Sequence, residues 1–172
     1  MIDLSGLNDI QWRHRSADVH ADQIPVLLRD AIERDYLDRP EVFGMLSVLL
    51  SPDLTLQPQA VDAIPFLIQM VACDDTSIQA EAASVIEAIA QCLDLADDAL
   101  TDGSLSNRVR LSLLNHKAVL QDAFTDCLDR KMRGDIKQVL SYLDTITPCP
   151  SCGERLRSAD ARQCFHCGHD WH

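Results

Sequence analysis

Ile24-Pro25-Val26-Leu27-Leu28-Arg29-Asp30-Ala31-Ile32 puts Ile24, Leu27, Leu28, Ala31 and Ile32 at i, i+3, i+4, i+7 and i+8. That spacing lays one apolar stripe along a helix. Pro25 suits the first turn, where its missing N–H costs nothing, and Asp22 is the expected cap. Working outward, Val42, Phe43, Leu46, Leu49 and Leu50 predict a second helix from about Pro40 to Leu50, closed by Pro52. The two are expected to pair as a helical hairpin. Composition agrees: apolar residues are 47%, aromatics only 5%, and there are six glycines among 172 residues, which favours helices over a sandwich or barrel.

The opening motif then returns. Ile64-Pro65-Phe66-Leu67-Ile68 repeats the Ile-Pro-apolar-Leu-aliphatic core at an offset of 40 residues, after a short turn opened by Pro58. A helix is expected from Ile64 to about Cys73. A period near 40 is typical of stacked helix pairs, each unable to bury its apolar face alone. Coincidence between two proline-started helices is the alternative, and no third copy follows.

Further on, Thr76 with Gln79 reads as a capping box ahead of Ile78, Ala82, Val85, Ile86, Ile89 and Leu93. A single helical region over about Asn107 to Lys131 is expected to bring Leu113, Leu120, Phe124 and Cys127 together. Gly134 is expected to break it, with Asp135 capping a last helix whose Ile136, Val139, Leu140, Leu143 and Ile146 point inward. Thr147-Pro148 stops that helix. The expectation is an all-α fold of six or seven helices over 1–147 and a small module over 148–172.

Trp12, the Ile24–Arg29 helix start, Thr55 and Ala63-Ile64-Pro65-Phe66-Leu67 resemble a group of bacterial HEAT-like proteins over roughly residues 9–73, more faintly to Ile146. The resemblance implies a short α-α superhelix. It further implies either an interaction scaffold or an immunity protein that neutralises a toxin. Members of that group carry a His-Gln-Gly stretch before the matching Thr. Ser51-Pro52-Asp53-Leu54 stands there instead, so a function tied to that motif does not carry over.

The small module is defined by Cys149-Pro150-Ser151-Cys152-Gly153 and Cys164-Phe165-His166-Cys167-Gly168. Two Cys-x-x-Cys pairs, each closed by glycine, supply four thiolates for a tetrahedral ion, and glycine takes the left-handed backbone such a turn needs. Cys149, Cys152, Cys164 and Cys167 are therefore the metal candidates, zinc being the expected ion and iron the competitor. With four protein ligands the site is structural rather than catalytic. His166, His169 and His172 are spare donors for a ligand swap. The spacing, with Leu156 and Ala161, also resembles a short bacterial zinc ribbon over 149–171. So small a segment, with Leu156, Phe165 and Trp171 as its sizeable apolar groups, is expected to need its metal to fold.

Charge narrows the partner. The formal net charge is −12, and no Lys or Arg occurs between Pro40 and Asn107. Glu41, Asp53, Asp62, Asp74, Asp75, Glu81, Glu87, Asp94, Asp97, Asp98 and Asp102 fall in that block. A solvated acidic face explains it; so does a surface for a basic protein, with Asp74, Asp75, Asp94, Asp97, Asp98 and Asp102 the candidate contacts. Cations follow from Arg108 to Lys137 but alternate with aspartates, as helical salt bridging requires. Nucleic-acid binding by the helical part is disfavoured, because cations supply most of that affinity.

No catalytic constellation is visible. His14, His20 and His116 stand apart, without a serine elbow, phosphate loop or metalloprotease pattern. Asp74-Asp75 and Asp97-Asp98 lack calcium-loop spacing. Cys73, Cys92 and Cys127 read as buried free thiols, which suits a reducing compartment. No signal-length or membrane-spanning apolar run occurs, so a cytoplasmic protein is expected. Two functions fit: a non-catalytic interaction module for a basic partner, or a HEAT-like accessory to an enzyme or to bilin-type cofactor attachment. Steep salt dependence distinguishes the first.

Overall fold

A computed structural model describes residues 2–12, 20–145, 148–154, 156 and 162–170. Among them are seven α-helices and no named strand: α1 (Ile24–Glu33), α2 (Arg39–Leu50), α3 (Ala60–Val71), α4 (Thr76–Leu95), α5 (Leu105–Asn115), α6 (Lys117–Asp126) and α7 (Arg130–Thr145). The all-α expectation is met. Ile146, Trp171 and His172, expected to matter at the C-terminal end, lie outside the described residues, as does His14.

The two proline-marked helices bury matching positions. Ile24, Leu27, Leu28 and Ala31 of α1 recur 40 residues on as Ile64, Leu67, Ile68 and Val71 of α3, all buried. Each helix packs on its successor, α1 on α2 and α3 on α4, and α2 lies against α4. The prolines sit differently. Pro25 is in the first turn of α1, whereas α3 begins at Ala60 and carries Pro65 inside, so α3 starts four residues earlier than the motif suggested. The chain also winds before α1, in a 3₁₀ turn over Ala21–Gln23. Asp22 is thereby inside the turn and does not cap; Gln23 holds the cap position without a side-chain bond.

The N-terminal segment closes over these helices. A 3₁₀ turn at Ser5–Asn8 buries Leu7, and Trp12 is buried with its indole N–H donating to the Leu7 carbonyl at 3.0 Å. The fully buried amide of Gln59 donates to the Trp12 carbonyl at 3.4 Å, so this polar side chain is satisfied.

α4 is the centre. It packs against α2, α3, α5 and, most extensively, α7, which explains why residues on several of its faces are buried, among them Ala82, Ala83, Val85, Ile86, Ile89, Ala90 and Leu93. Its cap is Asp75, whose carboxylate accepts from the backbone N–H groups of Ser77 and Ile78 at 3.0 and 3.3 Å. The expected Thr76–Gln79 box is therefore displaced by one residue; Gln79 instead donates to the Cys73 carbonyl at 2.6 Å.

Two further boundaries differ. The region expected as one helix from Asn107 is divided at His116, whose backbone leaves helical geometry and whose ring meets the Ser112 carbonyl at 2.8 Å. Dividing it lets α5 lie on α3 and α6 on α7. Gly134 does not end a helix. It lies inside α7, which starts at Arg130 behind Asp129, whose carboxylate accepts from the Met132 N–H at 2.7 Å. Asp135, freed from capping, accepts from Ser84 of α4 at 2.6 Å and pairs with Lys131 at 3.3 Å, tying α7 to α4. Ile136, Val139 and Leu143 are buried as expected, and Leu140 half so.

Candidate metal centre

Each Cys-x-x-Cys-Gly folds into the same knuckle. The Cys149 N–H donates to the Glu154 carbonyl at 2.7 Å, and the Gly153 N–H returns to the Cys149 carbonyl at 2.9 Å. Fifteen residues later the pattern repeats: Cys164 N–H to His169 carbonyl at 2.9 Å, Gly168 N–H to Cys164 carbonyl at 2.8 Å. Gly153 and Gly168 have φ of 78° and 73°, a backbone costly for any residue with a Cβ. Beyond these knuckles, an isolated antiparallel bridge joins Gln163 to Asp170.

The knuckles bring four sulfurs together. All four Sγ atoms lie within 4.8 Å of one another, with Cys149 to Cys167 at 3.8 Å and Cys152 to Cys164 at 3.7 Å. A tetrahedron of sulfurs about 2.3 Å from a central ion has edges of about 3.8 Å, so these separations fit a metal and exceed a disulfide's roughly 2.05 Å. The described histidines His166 and His169 are not in the group. Four sulfur donors fill the tetrahedron, which leaves no position for water or substrate.

Electrostatics point the same way. Burial alone raises the Cys149 thiol, but the N–H groups of Cys152 and Ser151 and the sulfurs of Cys152 and Cys164 outweigh it and bring it down to about 6. The Ser151 N–H stands 3.3 Å from that sulfur. The Glu154 backbone draws Cys152 down, yet burial and the sulfurs of Cys167, Cys149 and Cys164 prevail and push it up to about 12. Cys149 is thus drawn toward the thiolate while Cys152 beside it resists ionising; a bound dication favours the thiolate form of its ligands.

Cys149, Leu156 and Cys164 form a cluster of their own, while Phe165, expected to contribute, is 76% exposed. The remaining cysteines lie in the helices. Cys92 and Cys127 are buried and Cys73 half-buried, and burial chiefly pushes the Cys73 and Cys92 thiols up, as for unreactive packing residues.

The six acidic candidates do not form one patch. Asp74 and Asp75 precede α4 and Asp94, Asp97, Asp98 and Asp102 lie at its far end, so about 30 Å of helix separates them. Asp75 is occupied, pairing with Arg39 at 2.7 Å as well as capping. Among the cations, Lys117 pairs with Asp144 at 2.6 Å and Lys131 with Asp135, in line with the salt bridging expected there.

Three residues that sequence reasoning passed over stand out. Tyr36 and Leu37 before α2 and Leu128 before α7 are 69%, 85% and 98% exposed. The signal was present in Asp35-Tyr36-Leu37-Asp38 and Cys127-Leu128-Asp129, where apolar residues sit in connections rather than on a helical stripe.

Comparison of this chain with protein-family models, curated proteins and solved structures returns no match. Among the described residues no helix is long and apolar enough to cross a membrane.

Proposed function

We propose that this is a non-catalytic interaction module: a short HEAT-like helical scaffold that docks a basic protein, with a zinc-stabilised module at its C-terminal end. The observation that carries the reading is the closed four-sulfur set, which has the geometry of a structural ion and no place for chemistry. Support for the scaffold comes from the matching burial of α1 and α3 and from a body with no cation across 40–107. Zinc is the ion of choice because it is redox-inert and suits a tetrahedral thiolate set, whereas iron would make a redox centre. The acidic stretch from Glu41 to Asp102 and the free thiols fit a charge-led binder in a reducing, cytoplasmic setting. Its boldest form is an immunity-type inhibitor of a basic toxin or nuclease.

Metal analysis and affinity capture test it together. One equivalent of zinc per chain is expected, and the captured partner is expected to be basic, retained at about 50 mM salt and released by about 500 mM. Catalytic turnover by the purified protein, or a partner indifferent to salt, would defeat the reading.

A further inference from the structure

The exposed apolar residues Tyr36, Leu37 and Leu128 come from connections about ninety positions apart, yet they line one open cavity of about 590 Å³ beside the start of α4. A neighbouring cavity of about 320 Å³ shares Thr76, Leu128 and Asp129 with it, and the two form a continuous groove whose second half is floored by apolar groups such as Val119 and Met132. Large apolar side chains held almost wholly in water are costly for a monomer, and a rimmed apolar concavity is the usual form of a docking site.

Charge says what fits. Glu81, Asp126 and Asp129 line the groove, and among the described residues none of them forms a salt bridge. Among the described lining residues Arg39 is the one cation, and it is spent on Asp75 at 2.7 Å and the Ser77 hydroxyl at 2.7 Å. The positive ends of α4 and α7 are already answered by their caps, Asp75 and Asp129. The groove is thus apolar, with Glu81 and Asp126 on its rim occupied by neither a cap nor a salt bridge among the described residues. A second copy of the chain is a poor occupant, since each carries a net charge of −12.

The geometry points to the Tyr36–Leu37–Leu128 groove as the docking site for an amphipathic segment of a partner protein, its apolar residues seated on Leu37 and Leu128 and its lysines or arginines on Glu81 and Asp126. This rests on the proposed function and gives that basic partner a location: the Asp74–Asp75 end of α4, not the Asp94–Asp102 end. α7 carries the chain some 24 Å from this groove toward the cysteine module.

The test is fluorescence anisotropy of the full zinc-loaded chain with a short labelled peptide of leucine and lysine patterned as an amphipathic helix. The wild type is expected to bind it and to weaken with salt. Leu37→Ser with Leu128→Ser is expected to weaken binding about tenfold or more, a size set by losing two anchors at once. Both side chains are solvent-exposed, so circular dichroism and melting temperature should match the wild type. Leu95→Ser, 62% exposed at the other end of α4, is the control and should bind normally.

Equal affinity in wild type and double variant overturns the groove while leaving a salt-dependent basic partner in place. Loss of binding in Leu95→Ser moves the site to the far end of α4 and also overturns it. If leucine–glutamine or leucine–glutamate peptides bind as well as the lysine peptide, the basic-partner reading itself falls. No binding by the wild type, or a dimer dissolved by Leu128→Ser, rejects the peptide in favour of no site or of a second copy.

Discussion

The Asp75 carboxylate accepts from the start of α4 with one oxygen and from Arg39 with the other, joining α2 to α4. Burial is the largest influence on it and raises its pKa, but the bonds from Ser77, Arg39 and Ile78 together outweigh burial, so it titrates below the ordinary 3.8. A depressed folded pKa means stability that is present above the unfolded value and is lost as pH falls through the folded one. Asp75→Ala should therefore cost about 1 kcal/mol at pH 7, measured by denaturant unfolding, and the difference from wild type should fade only below about pH 3.8. Glu87 behaves oppositely. Burial, helped by Asp135 and resisted by Lys131, holds it above its ordinary 4.5. Its unfolded form ionises first, so stability declines as pH rises from 4.5 through the folded value. Glu87→Gln should match wild type near pH 4 and exceed it at pH 7 by no more than about 1 kcal/mol, the partly solvated side chain being screened.

Among the elements, the contrast between glycines shows what a sequence pattern leaves open. Gly134 looked like a helix breaker, yet it sits within α7 with open space where a Cβ would be. Gly134→Ala should accordingly stabilise the helical body by about 0.5–1 kcal/mol, read as a rise in denaturation midpoint. Gly153 and Gly168 have equal space but positive φ, so alanine there should strain the knuckles and weaken metal retention. Neighbouring residues could not distinguish these cases, because a glycine's role depends on backbone conformation, which tertiary packing sets. The capping shifts follow the same rule. Asp75 wins over Thr76 because Arg39, from a different helix, holds its carboxylate in place, and that partner is 36 residues away.

For the whole molecule the expected separation is between the helical body and the cysteine module. The helical core is continuous from Leu7 to Leu143, while Cys149, Leu156 and Cys164 form a separate cluster. Chelation, or Cys152→Ser at an exposed ligand, should open the tail to protease and release the metal while leaving helical circular dichroism and the main melting transition unchanged. Indole fluorescence alone would mislead, because Trp12 is buried in the body and reports on the body. Concerted loss of helix and tail on chelation would contradict the two-part organisation.

Some of this was fixed by local chemistry. Helical periodicity, proline and aspartate punctuation and the paired Cys-x-x-Cys-Gly turns act within a few residues of each other, so the all-α body, most buried positions and the four sulfur donors could be read directly from the chain. Which aspartate caps α4, where the long helical region divides at His116, and that Asp74 and Asp94 stand at opposite ends of one helix depend on how helices pack across the core. The groove of Tyr36, Leu37 and Leu128 depends on it most, since only the stacking of α2, α4 and α7 brings two distant connections to the same end of the molecule.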